Sequence, residues 1–356
     1  MQHRQLGRNG PPVSVVGFGA WPIGGGMGPI DAREAIATVH HALDHGVSLI
    51  DTAEAYRTSE EIIGRALAEW SGSRDDVFVA TKVRSDDLSR DHIEEAVNRS
   101  LRVLRIDVID LIQAHGWDPH HPIEETMDAF DRLVQKGKVR FIGVSNFDVP
   151  QMAAGWSRCQ FQSLQPVYNL FDRHVEQSIL PYCRSHGIGV LAHSPLAKGL
   201  LTGRYRPGHV FAADDERSQM PRFRGEQFDQ LLACTEPLEK WATARGHSLL
   251  ELAIAWVLVH PAVTVCLCGA RNVIVNLRRR LELPVGSSVP TTCERSTGCW
   301  TGRSRPADVA RRVALSCMRT PTWSCLRRRA GQRLDHVCSK LPMRTRQLAS
   351  WAGTPL

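Results

Sequence analysis

From residue 1 to about residue 272 the chain alternates between short β-branched or apolar runs and longer stretches in which apolar residues recur at i, i+3, i+4 and i+7. The short runs predict eight strands: Val13–Gly17, Ser48–Asp51, Val77–Thr81, Val108–Gln113, Phe141–Val144, Ser163–Pro166, Gly189–Ala192 and Val263–Leu267. The longer stretches predict helices over Asp31–His45, Glu60–Trp70, Asp91–Leu104, Ile123–Lys136, Val149–Trp156, Val175–His186 and Ser248–Val259. Ala35, Val39, Ala42 and Leu43 form one apolar stripe, and Ile62, Ile63, Ala66 and Leu67 another. A helix between two strands returns the chain in the same direction, so the repeat implies a parallel sheet. Eight strands within about 270 residues favour closure into a (β/α)8 TIM barrel over an open sheet. Residues 2–12, with Gly7-Arg8-Asn9-Gly10 as a turn, predict a small N-terminal hairpin ahead of the first strand. Gly203–Glu226, rich in Arg, Pro, Gly and Asp, predicts a long loop after the seventh strand.

Composition adds little to this picture, but charge divides the chain. The protein has 356 residues, 42% of them hydrophobic and 23% charged, as in an ordinary globular protein. The longest nearly apolar stretch, Leu249–Val259, is eleven residues and contains Glu251, well short of the roughly 20 that span a bilayer. Met1-Gln2-His3-Arg4-Gln5 has no apolar run behind it and does not read as a secretory signal, so a cytoplasmic location is the default expectation. The net charge of +7 would point to nucleic acid if it were spread evenly. It is not: residues 1–272 hold 28 Lys and Arg against 33 Asp and Glu, and residues 273–356 hold 16 against 4. That last segment has fifteen arginines, five of the ten cysteines and no Phe or Tyr, so it reads as an atypical tail beyond a 1–272 barrel. A frame-shifted end, a basic arm for nucleic acid and a disordered linker are its three readings. The simultaneous loss of acidic residues, Phe and Tyr near residue 273 favours the first, and nucleic acid is a partner only if the tail is genuine. The remaining cysteines show no CxxC spacing and read as buried or incidental thiols, with Cys266 and Cys268 on one side of a strand.

In a barrel of this type the chemistry sits at the C-terminal ends of the strands. The polar residues there are Asp51 with Tyr56 five positions on, Lys82, His115, Ser145-Asn146, Gln165, Ser194-Pro195 and Gly269-Ala270-Arg271. Asp51, Tyr56, Lys82 and His115 form an acid–base set. A lysine cation beside a tyrosine stabilises its phenolate and lowers its pKa, an aspartate can hold that lysine, and a histidine can orient a carbonyl. The implied task is to donate a proton to a carbonyl oxygen as negative charge develops on it. His115, His120 and His121 lie near Asp118, but their spacing does not put ligands on one helical face, so no metal site is expected.

Beyond those four residues, longer motifs match a known family. They include Gly17-Phe18-Gly19-Ala20-Trp21, Ile50-Asp51-Thr52-Ala53-Glu54-Ala55-Tyr56, Ala80-Thr81-Lys82 and Asp110-Leu111-Ile112-Gln113-Ala114-His115. Gly143-Val144-Ser145-Asn146-Phe147, Gln165-Pro166-Val167-Tyr168-Asn169, Ser194-Pro195-Leu196-Ala197-Lys198-Gly199 and Gly269-Ala270-Arg271-Asn272 continue the series. In order and spacing, over about three quarters of the chain, this resembles an aldo-keto reductase. The resemblance implies an enzyme that reduces an aldehyde or ketone with NADPH. By that resemblance Tyr56 is the general acid, Lys82 and Asp51 tune it, and His115 aligns the substrate. It places Ser145, Asn146 and Gln165 at the nicotinamide carboxamide, and His193 against the nicotinamide face, where the family often has Tyr or Trp. Ser194, Leu196 and Gly199 fall at the pyrophosphate. Gly19, Trp21, Pro195, Gly269 and Ala270 also fall along the NADP site, with Arg271 at the 2′-phosphate. A redox-sensing or partner-subunit barrel that binds nucleotide with little turnover is the alternative. After Asn272 the family's adenosine-gripping residues have no counterpart in the text.

Overall fold

The computed structural model describes residues 1–271, so the tail and the missing adenosine-gripping residues lie outside the described residues. The barrel strands are β3 (Val16–Gly19), β4 (Leu49–Asp51), β5 (Phe78–Val83), β6 (Ile109–Ala114), β7 (Val139–Ser145), β8 (Ser163–Gln165), β9 (Gly189–Ala192) and β10 (Val263–Gly269). All pair in parallel, each with its neighbour in sequence, and β10 closes the ring against β3. The TIM barrel expected from the repeat is the one observed.

Local chemistry sets the helix boundaries. Asp31 caps α1 (Ala32–Asp44) by accepting from the amides of Arg33 and Glu34. Ser89 caps α3 (Arg90–Leu104), and α2 (Ser59–Glu69) buries Ile62, Ile63 and Ala66 of its predicted stripe. Next come α4 (Ile123–Gln135) and α5 (Val149–Arg158), the latter opened by a reciprocal Asp148–Gln151 capping box. The predicted helix Val175–His186 is interrupted: a short 3₁₀ turn over His174–Glu176 precedes α6 (Ile179–His186). Glu176 is held there by the Tyr168 hydroxyl at 2.7 Å and by Arg173 at 2.7 Å. The helix α7 (Gly225–Thr243) was not among the predicted helices. It has no side-chain cap and carries Pro237 inside it, so it offers no start signal and contains a breaker. Ser248 and Glu251 form the capping box of α8 (Leu249–Val259), which is buried on nearly every side.

The N-terminal hairpin forms as expected, pairing β1 (His3–Gln5) with β2 (Pro12–Ser14) in antiparallel register. It corrects one boundary, because the run Val13–Gly17 is divided between β2 and β3 rather than forming one strand. The division falls at Ser14, whose hydroxyl donates to the Val16 carbonyl at 2.8 Å and accepts from the Ser48 amide, while its own amide donates to the Ser48 hydroxyl. Leu6 and Val13 of the hairpin pack with Leu49, Phe78, Ala80, Leu111, Leu191, Val265 and Leu267 into a buried apolar plug inside the barrel. Side chains alternate along a strand, so the next inward positions after these are Asp51, Lys82, Gln113 and His193. The interior is apolar at the strands' N-terminal ends and polar one step further along.

Candidate active site

At that polar level Lys82 is fully buried, and its ammonium donates to Asp51 Oδ1 at 2.6 Å, to the Thr52 carbonyl at 2.8 Å and to the Tyr56 hydroxyl at 3.3 Å. All three ammonium protons are thereby used. Asp51 ends β4 and Lys82 lies one residue from the end of β5, while Tyr56 stands in the turn leading to α2. Burial alone would lower the Lys82 pKa, but Asp51 and the Tyr56 hydroxyl outweigh it and the net direction is up, so the lysine stays a cation. For Tyr56 the direction differs from the expectation drawn from its neighbour. Desolvation pushes the phenol up by more than Lys82 pulls it down, and Asp51 and Glu216 add to the rise. The hydroxyl is therefore protonated at neutral pH, the state a general acid needs before it acts.

His115 follows β6 directly, its ring edge-on to Tyr56 with centroids 5.5 Å apart, and Trp21 flanks Tyr56 on another side at 4.8 Å. Burial, with the positive field of Lys82, takes His115 down to about 3, so it is a neutral hydrogen-bonding group rather than an acid. His193 is likewise lowered to about 3 by burial and by Lys82 and Lys198.

A hydrogen-bond chain fixes the polarity of the residues around His193. The Ser145 hydroxyl donates to the Gln165 carbonyl at 2.8 Å, so it accepts from Asn146 Nδ2 at 3.1 Å. The same Nδ2 donates to the His115 carbonyl at 3.1 Å. Asn146 Oδ1 is then the acceptor for His193 Nε2–H at 3.1 Å, and His193 Nδ1 accepts from the Ser194 hydroxyl at 3.0 Å. The Gln165 amide turns the other way, donating to Asp51 Oδ2 at 2.7 Å. Ser145, Asn146, Gln165 and His193 are thus contiguous, as their strand-end positions predicted.

After β9 the backbone takes an uncommon course. Ser194, Ala197 and Lys198 have φ of +54°, +47° and +52°, and Gly199 has φ of +106°. Left-handed conformations cost non-glycine residues energy and persist where the surroundings hold them. Glycine suits position 199 on a second ground, since a Cβ there would stand 3.0 Å from the Tyr205 ring and 3.1 Å from Arg217, and those side chains would have to shift. Successive backbone turns of this kind create a concavity that can receive anion oxygens. Gly19 and Gly269 lie side by side where β10 closes on β3. Arg271, by contrast, spends two N–H groups on backbone, donating to the carbonyls of Met27, at 2.5 Å, and Pro29.

Three residues of the site escaped the sequence reading as carriers of a role. Glu216, from a 3₁₀ turn in the long loop, accepts from Trp21 Nε1 at 3.0 Å and pairs with Lys198 at 2.5 Å. No period marks a single glutamate in a loop of mixed charge, so nothing in the text singled it out. Arg217, the next residue, is buried and bonds Asp215, the Lys198 carbonyl and the Tyr205 hydroxyl, which ties the loop to the turn after β9. The third, Gln113, was within reach: a lone amide in an apolar run, two positions beyond the inward-facing Leu111. Asp118 proves to be a loop staple, accepting from the amides of Leu88 and His120 and bonded to His121.

A closed parallel barrel with a buried Asp51–Lys82 pair beside Tyr56 at its C-terminal end narrows the family, and residues 15–274 match the family model for the aldo/keto reductase family. The chain belongs to that family. Its chemical class is accordingly oxidoreduction of carbonyl and alcohol groups. Aldo-keto reductase YhdN of Bacillus subtilis is 41% identical over 284 residues, 76% of this chain and 86% of that protein. A probable voltage-gated potassium channel subunit beta of Arabidopsis thaliana is 35% identical over 76% of this chain and 87% of its own length. Among solved structures, the glycerol dehydrogenase AKR11B4 from Gluconobacter oxydans superposes with a TM-score of 0.74 at 34% identity, covering 89% of this chain and 94% of that one. An aldo/keto reductase from Klebsiella pneumoniae in complex with NADP and acetate gives 0.66 at 27% identity, covering 81% and 92%.

Proposed function

We propose that this aldo/keto reductase reduces an aldehyde or ketone to an alcohol with NADPH, and that Tyr56 is the general acid. The observation that carries the reading is the buried Lys82 ammonium, 2.6 Å from Asp51 and 3.3 Å from the Tyr56 hydroxyl. Reduced nicotinamide, when bound, supplies the hydride to the carbonyl carbon. The chain's own residues do the rest. The Tyr56 O–H breaks and its proton passes to the carbonyl oxygen, and the phenolate left behind is stabilised by Lys82, whose charge Asp51 balances. Neutral His115 is a hydrogen-bonding group suited to hold the carbonyl oxygen beside Tyr56.

The strand ends suit a dinucleotide. The concavity at Ser194, Pro195, Leu196 and Gly199 fits a pyrophosphate in kind, and Ser145, Asn146 and Gln165 offer both donors and acceptors to a carboxamide. Trp21, Gly19, Gly269 and Ala270 border the same mouth. Of its five N–H donors, Arg271 uses two on the backbone, and a guanidinium with donors to spare suits a 2′-phosphate. The bound NADP of the Klebsiella relative supports this cofactor.

The test is a titration of the purified chain with NADPH and NADH, read by quenching of tryptophan fluorescence, followed by a carbonyl-substrate screen with Tyr56→Phe beside the wild type. The expected outcome is tighter binding of NADPH, and loss of turnover by about 10²- to 10⁴-fold in the variant with NADPH affinity unchanged. Unchanged turnover in Tyr56→Phe removes the mechanism. The potassium channel relative favours one second reading, a nucleotide-binding partner subunit. NADPH binding without turnover on any carbonyl would select it.

A further inference from the structure

Between the apolar plug and the mouth the barrel holds two buried glutamines, Gln113 and Gln165. The reductase reading gives Gln165 a place at the carboxamide and gives Gln113 none. A carboxylate can only accept, so any amide that faces Asp51 must present its NH₂ group. Gln165 Nε2 lies 2.7 Å from Asp51 Oδ2, and Gln113 Nε2 lies 3.3 Å from the same oxygen. The second contact of Gln165 Nε2 is Gln113 Oε1, at 3.4 Å. Both N–H bonds of Gln165 therefore run inward, one to the catalytic aspartate and one to Gln113. Its Oε1 is left to accept, and none of the hydrogen bonds among the described residues ends on that atom.

Gln113 is itself closely fitted. It pairs across the sheet with Lys82, and its Cγ lies against Gly143, where a Cβ would come within 3.0 Å of it. An apolar side chain of the same length would fill the space without the hydrogen bonds, so packing alone does not call for an amide there.

We propose that Gln113 is a positioning residue for the nicotinamide subsite: together with Asp51, which requires the Gln165 NH₂ to face inward, it engages the second N–H and holds the amide in place, so that an acceptor rather than a donor meets the carboxamide NH₂. The proposal rests on the reductase reading and extends it from Gln165 to a residue that touches neither cofactor nor substrate. It also links the subsite to the proton-donating group through the Asp51 carboxylate, whose Oδ2 takes the two glutamine amides and whose Oδ1 takes Lys82.

Gln113→Met keeps length and burial while removing both polar atoms. Calorimetric titration with NADPH and with 2′,5′-ADP, which has the phosphorylated adenosine end but no nicotinamide, separates the proposed effect from general damage. The NADPH Kd is expected to rise about three- to ten-fold, the net worth of one hydrogen bond or a little more, with the 2′,5′-ADP Kd within two-fold of wild type. In a Gln165→Met background the same change should add nothing further, because Gln113 acts through Gln165. If Gln113→Met does not fold, Gln113→Asn, which keeps the amide but withdraws it, should show the same split. Equal weakening of both ligands, no weakening of NADPH, or additive losses in the double variant would overturn the proposal. A wild-type chain that neither binds NADPH nor reduces a carbonyl would show instead that the reductase reading has failed.

Discussion

The two ends of the barrel are built by the same strands and differ in what they ask of each side chain. At the N-terminal end Leu49, Phe78, Ala80, Leu111, Leu191, Val265 and Leu267 close on Leu6 and Val13 of the hairpin, and every one of them is buried. Two residues further along, the inward positions are Asp51, Lys82, Gln113 and His193. The first level removes apolar surface from water and stabilises the fold. The second level buries an ion pair and amides, whose desolvation costs about as much as their mutual attraction returns. The comparison teaches that stability and chemistry are separated along the strand axis, by one step of side-chain alternation.

The strongest way to break that comparison is to remove one partner from the polar level. Lys82→Met leaves the Asp51 carboxylate buried with only the two glutamine amides to solvate it. Removing one member of a buried pair costs about 3–5 kcal/mol, and urea unfolding should show a loss of that size together with loss of turnover. Replacing both partners, as Asp51→Asn with Lys82→Met, should return stability to within about 1 kcal/mol of wild type while turnover stays lost. A double variant as unstable as the single one would mean that the ion pair holds the fold together and that the separation of levels is false.

The matching change at the apolar level is Leu111→Ala. Leu111 is fully buried in the plug, and such truncations cost about 2–5 kcal/mol through lost burial and the cavity left behind. Turnover per folded molecule should stay within two-fold of wild type, measured at a temperature where the variant is folded. A large fall in turnover with little loss of stability would show that the plug shapes the mouth above it.

How far each level could be read from the text follows from the same alternation. The strands were legible because most carry a short apolar or β-branched run, as at Val77–Thr81 and Gly189–Ala192, and several site residues were legible because such a run stops near a polar group, as at Asp51, Lys82 and His115. Asp51, Tyr56, Lys82 and His115 came together from that rule alone. The rule failed where one apolar run serves two elements, as at Val13–Gly17, and where a helix lacks both cap and clean pattern, as at Gly225–Thr243. It could not reach Glu216, whose place beside Trp21 depends on how a loop of about twenty residues folds back across the mouth. It also gave the wrong sign for the Tyr56 shift: a neighbouring cation is visible in sequence, but the depth to which the hydroxyl is desolvated is not.

The smallest expected effect concerns strain, and it sharpens the comparison from the side of the mouth. Ala197 is buried at φ of +47°, beside Lys198 at +52°, on the turn proposed to receive the pyrophosphate. A left-handed backbone costs a non-glycine residue about 1–2 kcal/mol, while glycine at the same position costs about 0.4–1 kcal/mol through a freer unfolded chain. Ala197→Gly should therefore stabilise the protein slightly, by up to about 1 kcal/mol in urea unfolding, because relief of strain exceeds the added entropy. NADPH affinity should fall modestly at the same time, since the turn would be less firmly held in its binding shape. A loss of stability greater than about 1 kcal/mol would show that the Ala197 methyl contributes packing there. In that case the mouth, like the plug at the other end, would be held by burial rather than by strain.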